Sequence, residues 1–348
     1  MQLSKDKNGF ITAPGLVDIH VHFREPGFEY KEDIMSGALS AAAGGFTTCC
    51  CMPNTLPVAD SKEVIDYITG KSKQTPIQIL PIGAVTMGQK GKQLTDFAAL
   101  KKAGVVALSD DGIPINDEEI MRSALKLAAE NNILIISHCE DEASMAARDI
   151  RLAAELDARV HIAHVSTAET VDIIRKAKAS GVKVTAETCP HYFSLTSDEV
   201  IKQGTNACMN PPLATKKDVE AIIEGLCDGT IDAITTDHAP HSPDEKALPI
   251  GKAPNGIIGL ETALAVTLTY LYHTGKLSLE RIIELMSINP RNILGLQVSD
   301  HILFDPDEEW IVDPSMFKSK SRNTPYAGMK LRGKIKQTIV KGEVIYNG

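Results

Sequence analysis

The sequence predicts an α/β protein, a (β/α)8 barrel of the TIM type with a small, reduced accessory β subdomain. Three observations predict it. Short apolar or β-branched runs alternate with amphipathic helical stretches from residue 15 to residue 237, giving eight such units. Gly44, Gly104 and Gly181 stand where a helical pattern stops and a new run begins, a place where a left-handed residue closes a helix cheaply. Histidines and aspartates gather at the C-terminal ends of the runs, the end at which barrels of this kind collect their chemistry. A doubly wound open sheet is the alternative, but no GxGxxG turn follows the first run.

Taken in order, the expected strands are 15–22, 45–51, 77–82, 104–109, 132–138, 158–164, 182–187 and 231–237. Helical patterns cover 33–43, 62–70, 94–103, 117–130, 167–179 and 216–227. A Pro/Gly-rich loop follows at 242–258, then helices at 260–272, 278–287 and 290–294. The C-terminal piece reads as β structure at 301–304 and 310–312, with a hairpin of 335–340 and 343–346 turning at Lys341-Gly342. Residues 15–295 are therefore expected to form the barrel, and 1–14 with 296–348 the β subdomain.

Composition narrows the function. The 348 residues are 43% hydrophobic and 23% charged, an ordinary globular balance with enough chain for a substantial core. No apolar run reaches the ~20 residues that span a bilayer. The opening MQLSKDKNGF lacks the apolar core of a signal peptide, so a cytoplasmic protein with no membrane contact is expected. A net charge of −9 without a basic block argues against nucleic acid. Seven cysteines with no CxxC do not make a disulfide framework. The consecutive Cys49, Cys50 and Cys51 read as small buried hydrophobes whose sulfurs alternate between faces.

The chemistry starts at Asp18-Ile19-His20-Val21-His22. In a strand, residues i and i+2 share a face, so His20 and His22 can share a metal ion. Further runs end in Asp110-Asp111, His138, His164 and Asp237. Four imidazoles and a carboxylate suit Zn²⁺ or a similar divalent ion, and exceed what one tetrahedral catalytic zinc uses when a position stays open. A two-metal site bridged by a carboxylate fits that surplus. Asp110 and Asp111 point to opposite sides, so one of them faces the centre. Asp237 is placed to be a general acid/base, its plain alternative being a helix cap or loop acid. Arg24, two residues beyond the histidine pair, suits a substrate carboxylate because its planar fork matches two oxygens. Asn54 reads equally as a turn residue after Pro53. His161, His191, His238, His273 and His301 read as structural or surface, with His241 intermediate.

Two segments now carry a resemblance: Asp18-Ile19-His20-Val21-His22-Phe23-Arg24-Glu25-Pro26-Gly27 and Thr236-Asp237-His238-Ala239-Pro240-His241. They resemble the signatures of the dihydroorotase family, within the amidohydrolase superfamily of metal-dependent barrels. Met52-Pro53-Asn54-Thr55, Ser109-Asp110-Asp111-Gly112, Ser137-His138-Cys139-Glu140-Asp141, Met209-Asn210-Pro211-Pro212-Leu213 and Asn289-Pro290 extend the likeness along most of the chain. It is closest to the bacterial and archaeal type, in which an Asp replaces a carboxylated Lys. The resemblance implies one metal on His20, His22 and Asp111 and a second on Asp111, His138 and His164, so one or two Zn²⁺ per chain bridged by Asp111. It implies Asp237 as the acid/base beside them, with Arg24, Asn54 and His241 on the substrate carboxylate. Asn210 and the backbone of Asn255 and Gly256 would meet the pyrimidine ring, with His22 also bordering the substrate. The implied reaction is reversible closure of N-carbamoyl-L-aspartate to L-dihydroorotate, using a metal-bound hydroxide in the hydrolytic direction.

Relatives are expected to carry more chain before Gly15, between His138 and His164, and across 294–302. A reduced β subdomain and a site less covered near His138 follow, with subunit or partner contacts supplying the cover. A homo-oligomer is expected, and a complex with aspartate carbamoyltransferase is a further expectation. The alternatives are an allantoinase or hydantoinase, or a non-catalytic scaffold for that carbamoyltransferase.

Overall fold

The computed structural model describes residues 3–7, 9–297 and 300–348. Eight parallel strands form the barrel: β3 (Leu16–Val21), β4 (Phe46–Cys51), β5 (Gln78–Pro81), β6 (Ala107–Leu108), β7 (Leu134–Ser137), β8 (Val160–Ile162), β9 (Val184–Thr188) and β10 (Ala233–Ile234). Hydrogen-bonded ladders join β3 to β5 and β6 to β10. Two parallel bridges close the ring, Gly83 to Leu108 and Val21 to His238. Two layers of apolar side chains follow from the strand alternation. Val17, Ile19, Cys50, Met52, Ile82, Ala107, Ile136 and Ala233 fill the lumen, while Cys49 and Cys51 face the helices. The three adjacent thiols thus alternate, and burial pushes each one up from its ordinary pKa.

The paired parts of β6 and β10 are far shorter than the expected 104–109 and 231–237. In both places the chain leaves the ladder early to present polar groups. After β6, the Asp110 carboxylate accepts the Val85 and Thr86 amides at 2.8 and 3.1 Å. After β10, Asp237 adopts a left-handed φ of 46°. The helix expected at 94–103 starts at Phe97, because Leu94 bridges to Thr86 and Asp96 caps the first turn. An unexpected helix, Glu142–Glu155, follows β7. Its buried face mixes Ala146, Asp149 and Ala153 with Met145 and Ile150, which blurs the apolar period. The later helices at 263–267 and 279–283 each widen into a π-helical stretch, Leu268–Tyr272 and Glu284–Ile288. Gly104 and Gly181 are left-handed as expected, but at the first junction it is Gly45 that takes φ 87°. Gly44 stays right-handed, and a Cβ there would lie 2.1 Å from the Leu260 carbonyl oxygen. Close approach, rather than handedness, selects that glycine.

Both chain ends build one antiparallel sheet, in the order β1 (Ser4–Lys5), β2 (Ile11–Pro14), β11 (His301–Ile311), β12 (Lys330–Val340), β13 (Glu343–Asn347). β11 and β12 are each continuous over eleven residues, longer than the sequence suggested. A register shift between Asp305 and Glu309 absorbs Pro306. The β12–β13 turn uses left-handed Lys341 and Gly342 (φ 52° and 84°), the handedness that two-residue hairpins require. The sheet sits beside the helix Ile34–Ala43, where Thr338 Oγ1 donates to the Ala42 carbonyl at 2.7 Å. Of the join expected to be short, residues 298 and 299 lie outside the described residues.

Candidate metal-dependent active site

The barrel brings its polar strand ends to one mouth. His20 and His22 project from β3 on the same side, as their spacing dictates. His20 is fully buried, and its Nδ1–H donates to Glu187 Oε1 at 2.6 Å. A carboxylate only accepts, so the proton sits on Nδ1 and Nε2 is turned to the centre. His22 repeats the arrangement, with Nδ1–H on Asn54 Oδ1 at 2.8 Å and Nε2 inward, 3.0 Å from Asp237 Oδ1. Asp111, just past β6, is the hub. Its Oδ1 lies 3.2 Å from His20 Nε2, 3.3 Å from His138 Nδ1 and 3.5 Å from His164 Nε2, and its Oδ2 lies 3.4 Å from His22 Nε2. Asp110 faces away into the hydrogen bonds described above.

These spacings fit a divalent cation. Ligands of a tetrahedral zinc at 2.0–2.1 Å stand about 3.4 Å from one another. His20, Asp111 and His164 offer donor atoms within 4.8 Å of each other, and so do His20, His22 and Asp237. His20 Nε2 and Asp111 Oδ1 are buried without hydrogen-bond partners, a costly state for two donor atoms that a cation would relieve. His138 belongs to the same cluster through Nδ1, 2.7 Å from His164 Nε2. The electrostatics agree. Burial disfavours ionised Asp111, yet the surrounding imidazoles of His20, His138 and His164 hold its carboxyl well below the usual range. Burial likewise opposes a charge on His20, and Asp111 with Glu187 overrides it, raising the imidazole pKa. The pocket is built to concentrate positive charge among carboxylates, which is what a metal supplies.

Sequence reasoning left Glu187 without a role. The structure places it at the end of β9, completely buried, with Oε1 on His20 and Oε2 3.2 Å from His161 Nε2. Burial would raise its pKa, but the two imidazoles hold it at about 2. An acid at the end of the seventh barrel strand was the available signal. His161 is tied by Nδ1 to Thr185 Oγ1 at 2.8 Å. His191 and His238 are buried away from the donor cluster's ion pairs, with His238 Nδ1 accepting the Gly259 amide at 3.2 Å.

Three residues here bend the backbone into the left-handed region without being glycine: Arg24 (φ 61°), His164 (φ 37°) and Asp237 (φ 46°). Such strain costs of order 1 kcal/mol or more each and collects where side chains must be aimed. The donor cluster opens into a cavity of about 260 Å³ lined by His22, Arg24, Asn54, Asp111, Gly112, His138, Asn210, Asp237, Ala239, His241, Asn255 and Gly256. Every residue singled out for substrate contact in the sequence borders it. The Arg24 guanidinium donates through Nε to the Pro240 carbonyl at 3.1 Å, and its hydrogen bonds reach no carboxylate among the described residues. His241 sends Nε2–H to the Asn255 carbonyl at 2.8 Å.

Comparison with known proteins shows the family. A dihydro-orotase-like family model matches residues 9–195. The dihydroorotase of Acetivibrio thermocellus is 47% identical over 373 residues, spanning 97% of this chain and 88% of its own length. That of Citrifermentans bemidjiense is 48% identical over 377 residues, spanning 98% and 89%. The chain belongs to the dihydroorotase family. The 373 aligned positions exceed the 348 residues present, so this family relative carries segments the chain lacks. Among solved structures, the L-hydantoinase of Arthrobacter aurescens superposes with a TM-score of 0.87 at 25% identity, over 98% of this chain and 86% of that one. The dihydropyrimidinase of Brevibacillus agri gives 0.85 at 20% identity, over 97% and 85%, a likeness of fold. No helix among the described residues is long and apolar enough to cross a membrane.

Proposed function

We infer that this protein is a dihydroorotase, a metal-dependent cyclic amide hydrolase of pyrimidine biosynthesis that interconverts N-carbamoyl-L-aspartate and L-dihydroorotate. The observation that carries the reading is a buried donor cluster opening into a cavity also lined by a guanidinium that hydrogen-bonds to no carboxylate among the described residues. A cyclic amide bearing its own carboxylate answers both at once. His20, His22, Asp111, His138 and His164 would hold one or two Zn²⁺, Asp111 being common to both sets of ligands and Asp237 standing alongside. A bound divalent cation supplies a coordinated water of lowered pKa, near 7, and polarises the carbonyl oxygen.

The chain's own residues do the rest. Arg24 binds the substrate carboxylate through its planar fork. Asn54, which lines the cavity, holds the tautomer of His22 through Oδ1, and His241 with Asn255 and Gly256 borders the ring. Asn210 has no intramolecular hydrogen bond to its side chain among the described residues, so that amide is free for the ring. In hydrolysis, water oxygen bonds to the ring amide carbon, the C–N bond breaks, and Asp237 Oδ1 carries the water's proton to the leaving nitrogen. In closure, the carbamoyl nitrogen bonds to the carbon of the protonated side-chain carboxyl and yields its proton to Asp237, which passes it to the departing hydroxyl as the C–O bond breaks, so water leaves. Asp237 is held ionised for this: burial raises its pKa, while the His22 hydrogen bond and the His20 and His22 charges bring it to about 2.

A hydantoinase reading has the solved-structure likeness in its favour, at far lower identity than the dihydroorotases. Rates on L-dihydroorotate, hydantoin and allantoin with Zn²⁺-loaded protein separate the two. Preference for dihydroorotate supports the assignment, and preference for hydantoin or allantoin removes it. Inactivity on all three with metal bound would favour the scaffold role. Residues 15–295 as barrel and 1–14 with 296–348 as subdomain is the domain division that goes with this reading.

A further inference from the structure

The chain after β10 doubles back to the cavity at 253–257, and a buried ammonium holds it there. Lys246 is only 7% exposed. Its Nζ donates to the Pro254 carbonyl at 3.0 Å and the Gly256 carbonyl at 3.1 Å. The neighbouring Glu245 turns the other way, to Lys31 Nζ at 2.8 Å and the Tyr30 hydroxyl at 3.0 Å. Lysine is seldom buried unless an acid pairs with it, and burial here draws its pKa down to about 8. An apolar side chain would fill the space at lower cost, so the charge and its three donors call for a use.

The loop supplies one. The Gly256 carbonyl also accepts Asn323 Nδ2 at 3.0 Å, and the same amide reaches the Ala239 carbonyl at 3.1 Å. The Gly256 amide donates to the Cys208 carbonyl at 2.9 Å. Gly256 has φ 131°, and a Cβ there would sit 2.7 Å from Ala239 Cβ. The carbonyls of 254, 255 and 256 are thus all drawn onto protein donors. With their carbonyls so held, Asn255 and Gly256 line the cavity. Lys246 also joins Arg24 and Lys31 around His241, where burial first and then those cations lower the imidazole to about 3.

We propose that Lys246 is a positioning residue for substrate binding: it clamps the Pro254 and Gly256 carbonyls and so fixes the loop that faces the ring. This rests on the dihydroorotase reading of the cavity. Lys246 touches no donor of the metal cluster, so its loss should leave metal content intact.

The test uses full-length, metal-loaded protein. Lys246→Met should raise KM for L-dihydroorotate about tenfold or more, with kcat within about threefold and metal content unchanged. Lys246→Arg, keeping charge and donors, should recover most of the loss. Dihydrouracil, the same ring without the carboxylate, should lose affinity in Lys246→Met to a similar degree, because the clamped loop faces the ring. An unchanged KM in Lys246→Met, or an Arg variant no better than the Met variant, overturns the assignment. If Lys246→Met does not fold, acylation of wild-type Lys246 by acetic anhydride, read by peptide mass spectrometry, decides it. Orotate should slow that labelling severalfold, and equal labelling with and without orotate overturns it. Wild-type protein inactive on dihydroorotate would instead sink the functional reading beneath it.

Discussion

Removing the Glu187 carboxylate should weaken metal binding more than any change outside the ligands themselves. Its two oxygens serve two buried imidazoles, His20 at 2.6 Å and His161 at 3.2 Å. Glu187→Ala leaves the buried His20 Nδ1 without its hydrogen-bond partner, at a cost of about 1–3 kcal/mol, and removes the ion pair to His161. The loss at His20 loosens its tautomer and ring orientation, the usual effect of losing such a partner being about 10–100-fold in metal affinity or activity. Glu187→Gln is milder by construction. Its amide oxygen can still accept from His20 Nδ1, and its amide NH₂ can face His161 Nε2 once that ring carries its proton on Nδ1, toward Thr185 Oγ1. Only the charge is lost, so the Gln variant should fall between wild type and Ala. Competition with a chromophoric chelator gives the three zinc affinities, and thermal melts of the metal-free proteins separate folding from binding. An Ala variant binding zinc within about twofold of wild type, or a Gln variant weaker than Ala, would refute the reasoning.

Three other outcomes follow from the site and its surroundings. Asp237→Ala should cut kcat by ~10²-fold or more while metal analysis still finds the ions, since the loss is of a proton carrier. Arg24→Met should raise KM for dihydroorotate about 10–100-fold, the worth of a charge-assisted pair, and leave dihydrouracil turnover nearly unchanged in the same assay. Glu261, which accepts Ser40 Oγ and the Lys318 and Ser319 amides, is raised by burial to about 7. A carboxyl whose folded pKa lies above its unfolded one binds the extra proton in the native state, so stability falls as pH rises from about 4.5 toward 7. Melts across that window should show Glu261→Gln losing this slope, and an unchanged slope would contradict it.

The barrel was legible because βα alternation and strand-end histidines are written locally, two residues or one helix turn at a time. The donors His20, His22, Asp111, His138 and His164 stood out for the same reason: each ends an apolar run. What escaped depends on partners distant in sequence. Glu187 looked like any acid until β9 set it between His20, 167 residues away, and His161. Asn54 was read as a turn residue or a substrate contact, and the fold shows its oxygen orienting His22. Lys246 lies in a stretch read as a Pro/Gly-rich loop and drew no role there, because nothing local says that 254–256 return to cover it. The helix Glu142–Glu155 was missed since a face built from alanines and Asp149 has little hydropathy contrast. The short ladders of β6 and β10 were overextended because the apolar runs continue while the backbone turns to aim Asp110, Asp111 and Asp237.

Five side chains from four strand ends, with His20 and His22 sharing β3, are read as holding catalytic metal beside a carboxylate-binding cavity. The most direct measurement of this is a zinc titration of chelator-stripped protein, with L-dihydroorotate hydrolysis followed at each addition. Stripped protein should be inactive, and activity should rise with bound zinc to a plateau at one or two ions per chain. Full turnover by protein shown to hold no metal would contradict that reading.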